Sequence, residues 1–273
     1  MSQLFPPGHF YSPVVDQDEA RRDAVRIWPT APSSVLGINF NDDSHAHLLK
    51  CYMIPEVEKD FWSAYPDAAP PGTLSLSNGA FELMDMRAYH GLLLGIRPTR
   101  VVEVGSGYST LMALDVKRRH MPKMRVTAIE PYPPDFLPRS AGLDALIVKR
   151  VQDVAMSEFE ALGAGDILFI DSSHVAKTGS DVCHLIFEVL PRLRSGVFVH
   201  FHDIFLPYDY PRGWIEHGHN WNEQYVVRAM LTGSAAWEIK FGCAYARWKY
   251  PAEVRTMLRG RWHDGGSLYL RKR

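Results

Sequence analysis

The sequence predicts an α/β protein built on a doubly wound, mostly parallel sheet with an antiparallel C-terminal strand and an N-terminal arm. Three observations carry this. From Asn78 onward, short β-branched runs alternate with stretches of helical periodicity. The run Asp166–Asp171 reads Asp-Ile-Leu-Phe-Ile-Asp, and an almost unbroken apolar interior marks a parallel strand covered on both faces. The segment from Arg100 to Thr110 passes from a β-branched strand through a glycine turn into a helix start.

Taken in order, the elements are as follows. A helix is expected over Gly79–Leu94, with Ser77 or Asn78 as its cap. Arg100–Val104 is the first strand. Ser109 is placed to cap the next helix, whose last turn carries Lys117, Arg118 and Arg119 against the negative end of the helix dipole. Arg125–Glu130 and Ala145–Lys149 are the second and third strands, Asp166–Asp171 the fourth. A helix follows with Val182, Leu185, Ile186, Val189 and Leu190 on one buried face. Gly196–His202 is the fifth strand. A helix near Asn222–Leu231, a strand near Trp237–Gly242 and a last strand Ser267–Arg271 complete the chain.

Residues 1–75 read differently. They are rich in Pro and aromatic side chains, carry one expected helix around His45–Ile54, and end at Ala69, Pro70, Pro71 and Gly72. Their large apolar content predicts an ordered arm or lid packed on a domain spanning 76–273, not a free linker. The arm also offers a surface through which copies could pair as a homo-oligomer.

Composition narrows the class. The chain has 273 residues, 46% hydrophobic and 22% charged, enough for a full core. Thirty basic against thirty-one acidic residues leave a formal charge of -1, which argues against a nucleic-acid partner. The terminal Arg271, Lys272 and Arg273 read as a solvated tail. Cys51, Cys183 and Cys243 form no CxxC pair, so neither a zinc knuckle nor a redox motif is suggested. The N-terminus lacks the basic and apolar regions of a secretory signal, and the apolar runs are too short for a membrane span. A cytoplasmic location is the expectation.

The richest segment is Glu103-Val104-Gly105-Ser106-Gly107-Tyr108-Ser109-Thr110. A dinucleotide loop would read GxGxxG and seat pyrophosphate on the helix N-terminus; here Thr110 stands where the third glycine would be. Glu103 lies in the strand, two residues before the turn. A carboxylate there repels a pyrophosphate and attracts a cation, which favours S-adenosylmethionine, with its ammonium and sulfonium, over a nicotinamide dinucleotide. A glycine turn alone is an ordinary structural feature, but an unpaired acid inside a strand is costly without a purpose. Glu130 ends the second strand, where a carboxylate can accept both ribose hydroxyls. Gln152 and Asp153 follow the third.

This stretch resembles the first motif of class I, Rossmann-like methyltransferases, in a form similar to a bacterial subgroup related to macrocin-type O-methyltransferases. The resemblance covers roughly residues 78–273. It implies that Glu103 orders the methionine ammonium. Gly105, Ser106 and Gly107 would pass under the cofactor, with Tyr108 and Ser109 completing the turn. It also implies an adenine contact from Gln152 or Asp153, with Asp153 preferred as an acceptor for the amino group.

Two strand ends carry the chemistry. The fourth ends in Asp171, followed by Ser172, Ser173 and His174; the fifth ends in His200-Phe201-His202-Asp203. Ligands of open α/β sheets bind beyond the carboxyl ends of strands, so both clusters are expected beside the transferred methyl. An alcohol needs a general base or a Lewis acid at neutral pH. His174 or His202 would serve as base, or Asp171, His202 and Asp203 would hold a divalent metal such as Mg²⁺. Macrocin-type relatives use a metal at comparable carboxylates; here His202 stands where those relatives often have another acid. The plainer reading makes Asp171 a turn cap and gives His200 a structural role. His45, His47, His217 and His219 are expected to be solvated or locally bonded. The connection from Ile204 to Glu223, with Tyr208, Tyr210, Trp214 and Trp221, reads as a lid whose aromatic faces could pack on a sugar or planar acceptor. The expected activity is O-methylation of a small-molecule or glycan hydroxyl. The alternatives are a nicotinamide-dependent oxidoreductase and a catalytically silent nucleotide-binding module. A serine hydrolase is disfavoured because no GxSxG occurs.

Overall fold

Strand β1 (Arg100–Val104) lies at the centre of a seven-stranded sheet, and every other element is placed by its relation to it. The computed structural model describes residues 4–32 and 36–273; residues 1–3 and 33–35 of the expected arm lie outside this range. The remaining strands are β2 (Arg125–Ile129), β3 (Ala145–Ile147), β4 (Ile167–Ile170), β5 (Phe198–Phe201), β6 (Trp237–Gly242) and β7 (Leu268–Lys272). Their order is β3-β2-β1-β4-β5-β7-β6. All pairs from β3 to β5 are parallel, and β7 is antiparallel to both neighbours. The strand order reverses between β1 and β4, so their carboxyl ends open the crevice in which such sheets bind ligands.

Both faces are covered, as the apolar strands require. Along β4, Ile167 and Phe169 enter one core while Leu168 and Ile170 enter the other. The first core takes the helices Leu83–Ile96 and Tyr108–His120; the second takes Val182, Leu185 and Val189 with Val227 and Leu231 of the helix Glu223–Leu231. The helix Leu83–Ile96 starts four residues later than its pattern predicts. Asn78 is not its cap: its side chain accepts from Ala80 N and Phe81 N and donates to Ser75 O and Phe81 O, folding a turn ahead of the helix. Two helices went unread in the sequence, Cys243–Lys249 and Pro251–Met257, which cross from β6 toward β7.

The first 75 residues divide in two. The helices Gln17–Arg22 and Ala24–Ile27 lie on the loop after β5: Trp28 Nε1 donates to Tyr210 O at 2.8 Å and Gln17 Nε2 to Ile215 O at 3.2 Å. The helix Asp42–Leu48, its wide turn Leu49–Met53 and the helix Pro55–Ala64 instead enter the main core, where Leu49, Met53 and Phe61 are fully buried. His45 is buried in this part, with Nε2 accepting from Gly242 N at 2.9 Å.

Candidate active site

The turn after β1 is fixed by close packing. Gly105 has φ +79°, and a Cβ there would overlap the carbonyl oxygen of Asp171 at the end of β4. Only glycine tolerates both conditions. Gly107 is different. Its backbone is extended, and a Cβ would meet open space; glycine leaves room over the chain there that no described residue fills.

Glu103 is fully buried beneath this turn. Its Oε1 accepts from Ser109 Oγ, while Oε2 has no partner among the described residues. Burial pushes its carboxyl up to about 8, against the opposing pull of the nearby Ser109 and Thr110 hydroxyls. An orphaned carboxylate oxygen in a closed site is expensive unless a cation or donor completes it. Glu130 stands across the turn, accepting from Ser106 N at 3.1 Å through Oε2 and from Tyr132 N at 2.9 Å through Oε1. Each oxygen keeps a lone pair for a further donor.

A cavity of about 360 Å³ opens here, lined by Gly105, Glu130, Tyr132, Val151, Gln152 and Ser172 among others. Its volume falls in the range of small-molecule sites. Gln152 donates Nε2 to Gly179 O, which leaves its carbonyl oxygen available. Asp153, the preferred adenine partner in the sequence, does not line the cavity: Arg150 holds it in an exposed pair at 2.7 Å. Tyr108 also turns away, its hydroxyl accepting from Gly72 N at 3.2 Å. Ser109 reaches Glu103 instead of capping its helix, which starts at Tyr108 with Thr110 Oγ1 accepting from Gly107 N. Asp181 lines the cavity unanticipated, accepting from Ser173 N at 2.9 Å.

Beyond β4 and β5 the acids and imidazoles converge. His174 Nε2 lies 3.2 Å from Asp171 Oδ1 and 3.4 Å from Asp203 Oδ2, and Nδ1 lies 2.9 Å from Glu223 Oε2. Both ring nitrogens face carboxylates. Burial opposes a charge on the ring, yet Asp171 and Glu223 hold its pKa up to about 10. Burial likewise works against ionised Asp171, but His202 and His174 keep its carboxyl below the usual range. Burial raises Asp203 and Glu223. His174 and Asp203 both adopt left-handed backbone, φ +60° and +56°, a strained conformation of order 1–3 kcal/mol each that the surroundings must enforce. The amides of Asn222 and Glu223 donate to His174 O and so lock it in place.

One atom of each of Asp171, His174 and Asp203 falls within 4.8 Å of the others. The sequence set His202 beside Asp171 and Asp203 as third ligand; in the structure the imidazole within this distance of both acids is that of His174. His202 sits behind Asp203, with Nε2 3.6 Å from Asp203 Oδ1 and its ring 5.3 Å from Phe81. Burial disfavours its charge, but Asp203, Asp171 and Asp85 raise its pKa. His200 turns into the packing, stacked 3.7 Å from Phe169 and bonded to Ser267 Oγ at 2.9 Å. Glu223 was not singled out in the sequence. The available signal was its place on the buried stripe Glu223, Val227, Leu231, where an acid is out of character. Trp221 stands 4.4 Å from the His174 ring, and Trp214 and Tyr210 continue this aromatic wall.

Residues 102–204, which include Glu103, Glu130, Asp171, His174 and Asp203, match the family described as methyltransferase domain. An uncharacterized protein of Archaeoglobus fulgidus is 36% identical over 173 residues, covering 59% of this chain and 75% of its own. Similar solved structures include the Podospora anserina methyltransferase PaMTH1 bound to S-adenosylhomocysteine, 15% identical over 100% of both chains with TM-score 0.43. Another is the plantazolicin methyltransferase BpumL, 12% identical over 84% of this chain and 94% of its own with TM-score 0.46. From the family match and the archaeal relative, the chain belongs to the methyltransferase-domain family.

Proposed function

We propose that this chain binds S-adenosylmethionine and methylates a hydroxyl of a small-molecule or glycan acceptor. The observation that carries the reading is the unpartnered, buried Oε2 of Glu103 under a turn that leaves room at Gly107. It fits an ammonium and repels a pyrophosphate, which disfavours the nicotinamide reading. The free lone pairs of Glu130 suit a ribose diol, and Tyr132, Val151 and the Gln152 carbonyl suit an adenine. When bound, the cofactor supplies an electrophilic methyl whose bond to sulfur breaks as the bond to the acceptor oxygen forms, the electron pair staying on sulfur.

The chain's own residues then deal with the acceptor proton. His174 has both nitrogens engaged and is not a free base. The Asp203 carboxylate is the group left to take the hydroxyl proton, with His202 behind it sharing the charge. Asp171, His174 and Asp203 also fit a divalent cation: with Nδ1–H donated to Glu223 and the Nε2 proton displaced by the ion, the Nε2 lone pair would face the two acids, the arrangement of a carboxylate-supported metal-binding histidine. A cation held there would lower the proton affinity of an acceptor hydroxyl. Titration with S-adenosylhomocysteine, followed by label transfer from methyl-labelled cofactor with and without chelator, tests the reading. Rate loss on chelation, restored by added metal, assigns the cluster to a metal; indifference assigns it to the imidazolium. Absence of cofactor binding contradicts both.

A further inference from the structure

Alongside the strand ends lies a second cavity, of about 310 Å³, between the helices Cys243–Lys249 and Pro251–Met257 and the segment leading into β7. Its polar lining is basic: Arg247, Arg255, Arg261 and His263, with Leu258 and Trp262 as apolar walls and no acid among the described residues. On a chain of formal charge -1 this is a local concentration of positive charge. The counter-charges lie outside the lining. Arg247 pairs with Asp264 and Arg261 with Asp67, whose side chains are 59% and 74% exposed, and pairs so wetted hold their partners weakly. Among the described residues no acid is paired with Arg255. Arg247 is itself mostly buried, its guanidinium 5.2 Å from the Trp262 ring, and Trp262 is 75% exposed. Exposed indole beside a sheltered guanidinium is a surface suited to a ring carrying an anionic group.

The cavity also has a fixed relation to the reacting centre. Three residues after His263, Gly266 lies against Asp203, and its carbonyl accepts from Ile204 N at 2.7 Å. Three residues of extended chain span at most about 11 Å. On the other side, His263 Nε2 is 2.7 Å from Glu82 Oε2, and the adjacent Phe81 packs on His202. That bound is of the order of the length of a monocyclic acceptor with one substituent, whose hydroxyl would sit at Asp203 and whose substituent would reach the arginines.

We infer that this cavity is an acceptor subsite for an oxyanion, so that the methyl acceptor is a hydroxylated, ring-bearing carboxylate or phosphate. The inference rests on the methyltransferase reading. It assigns Arg255 and Arg261 to anion binding and Trp262 to the ring.

The test uses the full chain saturated with S-adenosylhomocysteine and calorimetric titration of four probes: 4-hydroxyphenylacetate, 4-hydroxyphenyl phosphate, neutral 4-hydroxyphenylacetamide and inorganic phosphate. The expected result is binding of at least one charged phenol, at least tenfold tighter than the amide; which one binds separates carboxylate from phosphate. Arg255→Gln and Arg261→Gln should each weaken that binding about tenfold, Trp262→Ala should weaken the phenols more than inorganic phosphate, and Asp203→Asn should affect the phenols alone. Equal affinity for the amide, or no change in Arg255→Gln and Arg261→Gln, overturns the oxyanion assignment. Indifference of the phenols to Asp203→Asn makes the cavity a separate anion site and overturns the acceptor assignment. If S-adenosylhomocysteine does not bind while the charged probes do, the methyltransferase reading fails and the anion cavity stands.

Discussion

His174 Nδ1 lies 2.9 Å from Glu223 Oε2, joining the end of β4 to the first turn of a helix 49 residues later. Both groups are buried, and the contact sets the charge of the imidazole whose other nitrogen faces Asp171 and Asp203. The raised pKa has a definite sign. Its contribution to folding is complete below the unfolded value of about 6.5 and fades as pH rises through about 10. The imidazole resonance of metal-free protein should therefore titrate near 10, and Glu223→Gln should move the midpoint down by at least one unit. A midpoint near 6.5 in the unaltered chain would remove the imidazolium from the account.

Glu103 predicts a proton-linked cofactor equilibrium. Burial holds its carboxyl up to about 8, and an ammonium beside Oε2 would favour the ionised form. Binding should release a proton near neutrality, and affinity should rise by up to about tenfold per pH unit below 8. Calorimetry in buffers of different ionisation enthalpy reads the proton directly. Glu103→Gln should abolish the release.

Glu130→Ala should weaken S-adenosylhomocysteine binding by about 10–100-fold, since hydrogen bonds to a charged group contribute about 1.5–3 kcal/mol. The variant should stay folded, because the amides of Ser106 and Tyr132 that it frees adjoin a wet cavity. Unchanged affinity in a folded variant would remove Glu130 from the cofactor site.

Gly105→Ala should be a folding variant, not a binding variant. A left-handed residue costs about 1–2 kcal/mol before any clash, and here the Cβ meets the Asp171 carbonyl. The expected fall in Tm is at least about 5 °C. Gly107→Ala should leave Tm nearly unchanged and weaken cofactor binding, because its Cβ enters space that only a ligand would occupy.

The N-terminal residues separate by truncation. Deletion up to Ile38 should fold and keep cofactor binding, since the helices it removes touch the loop after β5 and not the cavity at Glu130. Deletion up to Leu74 should not fold. It strips Met53 and Phe61 from the main core, and loss of each such side chain typically costs about 2–5 kcal/mol.

The sheet was legible because its central strands are buried on both faces and read as apolar runs, as in β4; β1 and β6 match their expected bounds, and the antiparallel β7 was anticipated. The helices Cys243–Lys249 and Pro251–Met257 were not, because they are short and Tyr250 and Pro251 break the periodicity between them. At the site, Glu103 and Asp171 announced themselves by position at strand ends. Glu223 did not, since its meaning lies in a contact 49 residues away. Asp153, expected at the adenine, pairs with Arg150, a contact that an acid after a third strand does not announce. His174, and not His202, has a ring nitrogen close to both Asp171 and Asp203, and it sits on a left-handed backbone that a sequence does not display.

The most direct test of the central claim is calorimetric titration of the unaltered chain with S-adenosylhomocysteine at pH 7 in two buffers of different ionisation enthalpy. The account predicts one-to-one binding with a buffer-dependent heat that reports proton release, absent in Glu103→Gln. No binding at millimolar ligand, or equal binding by the Glu103→Gln and Glu130→Ala chains, would contradict it.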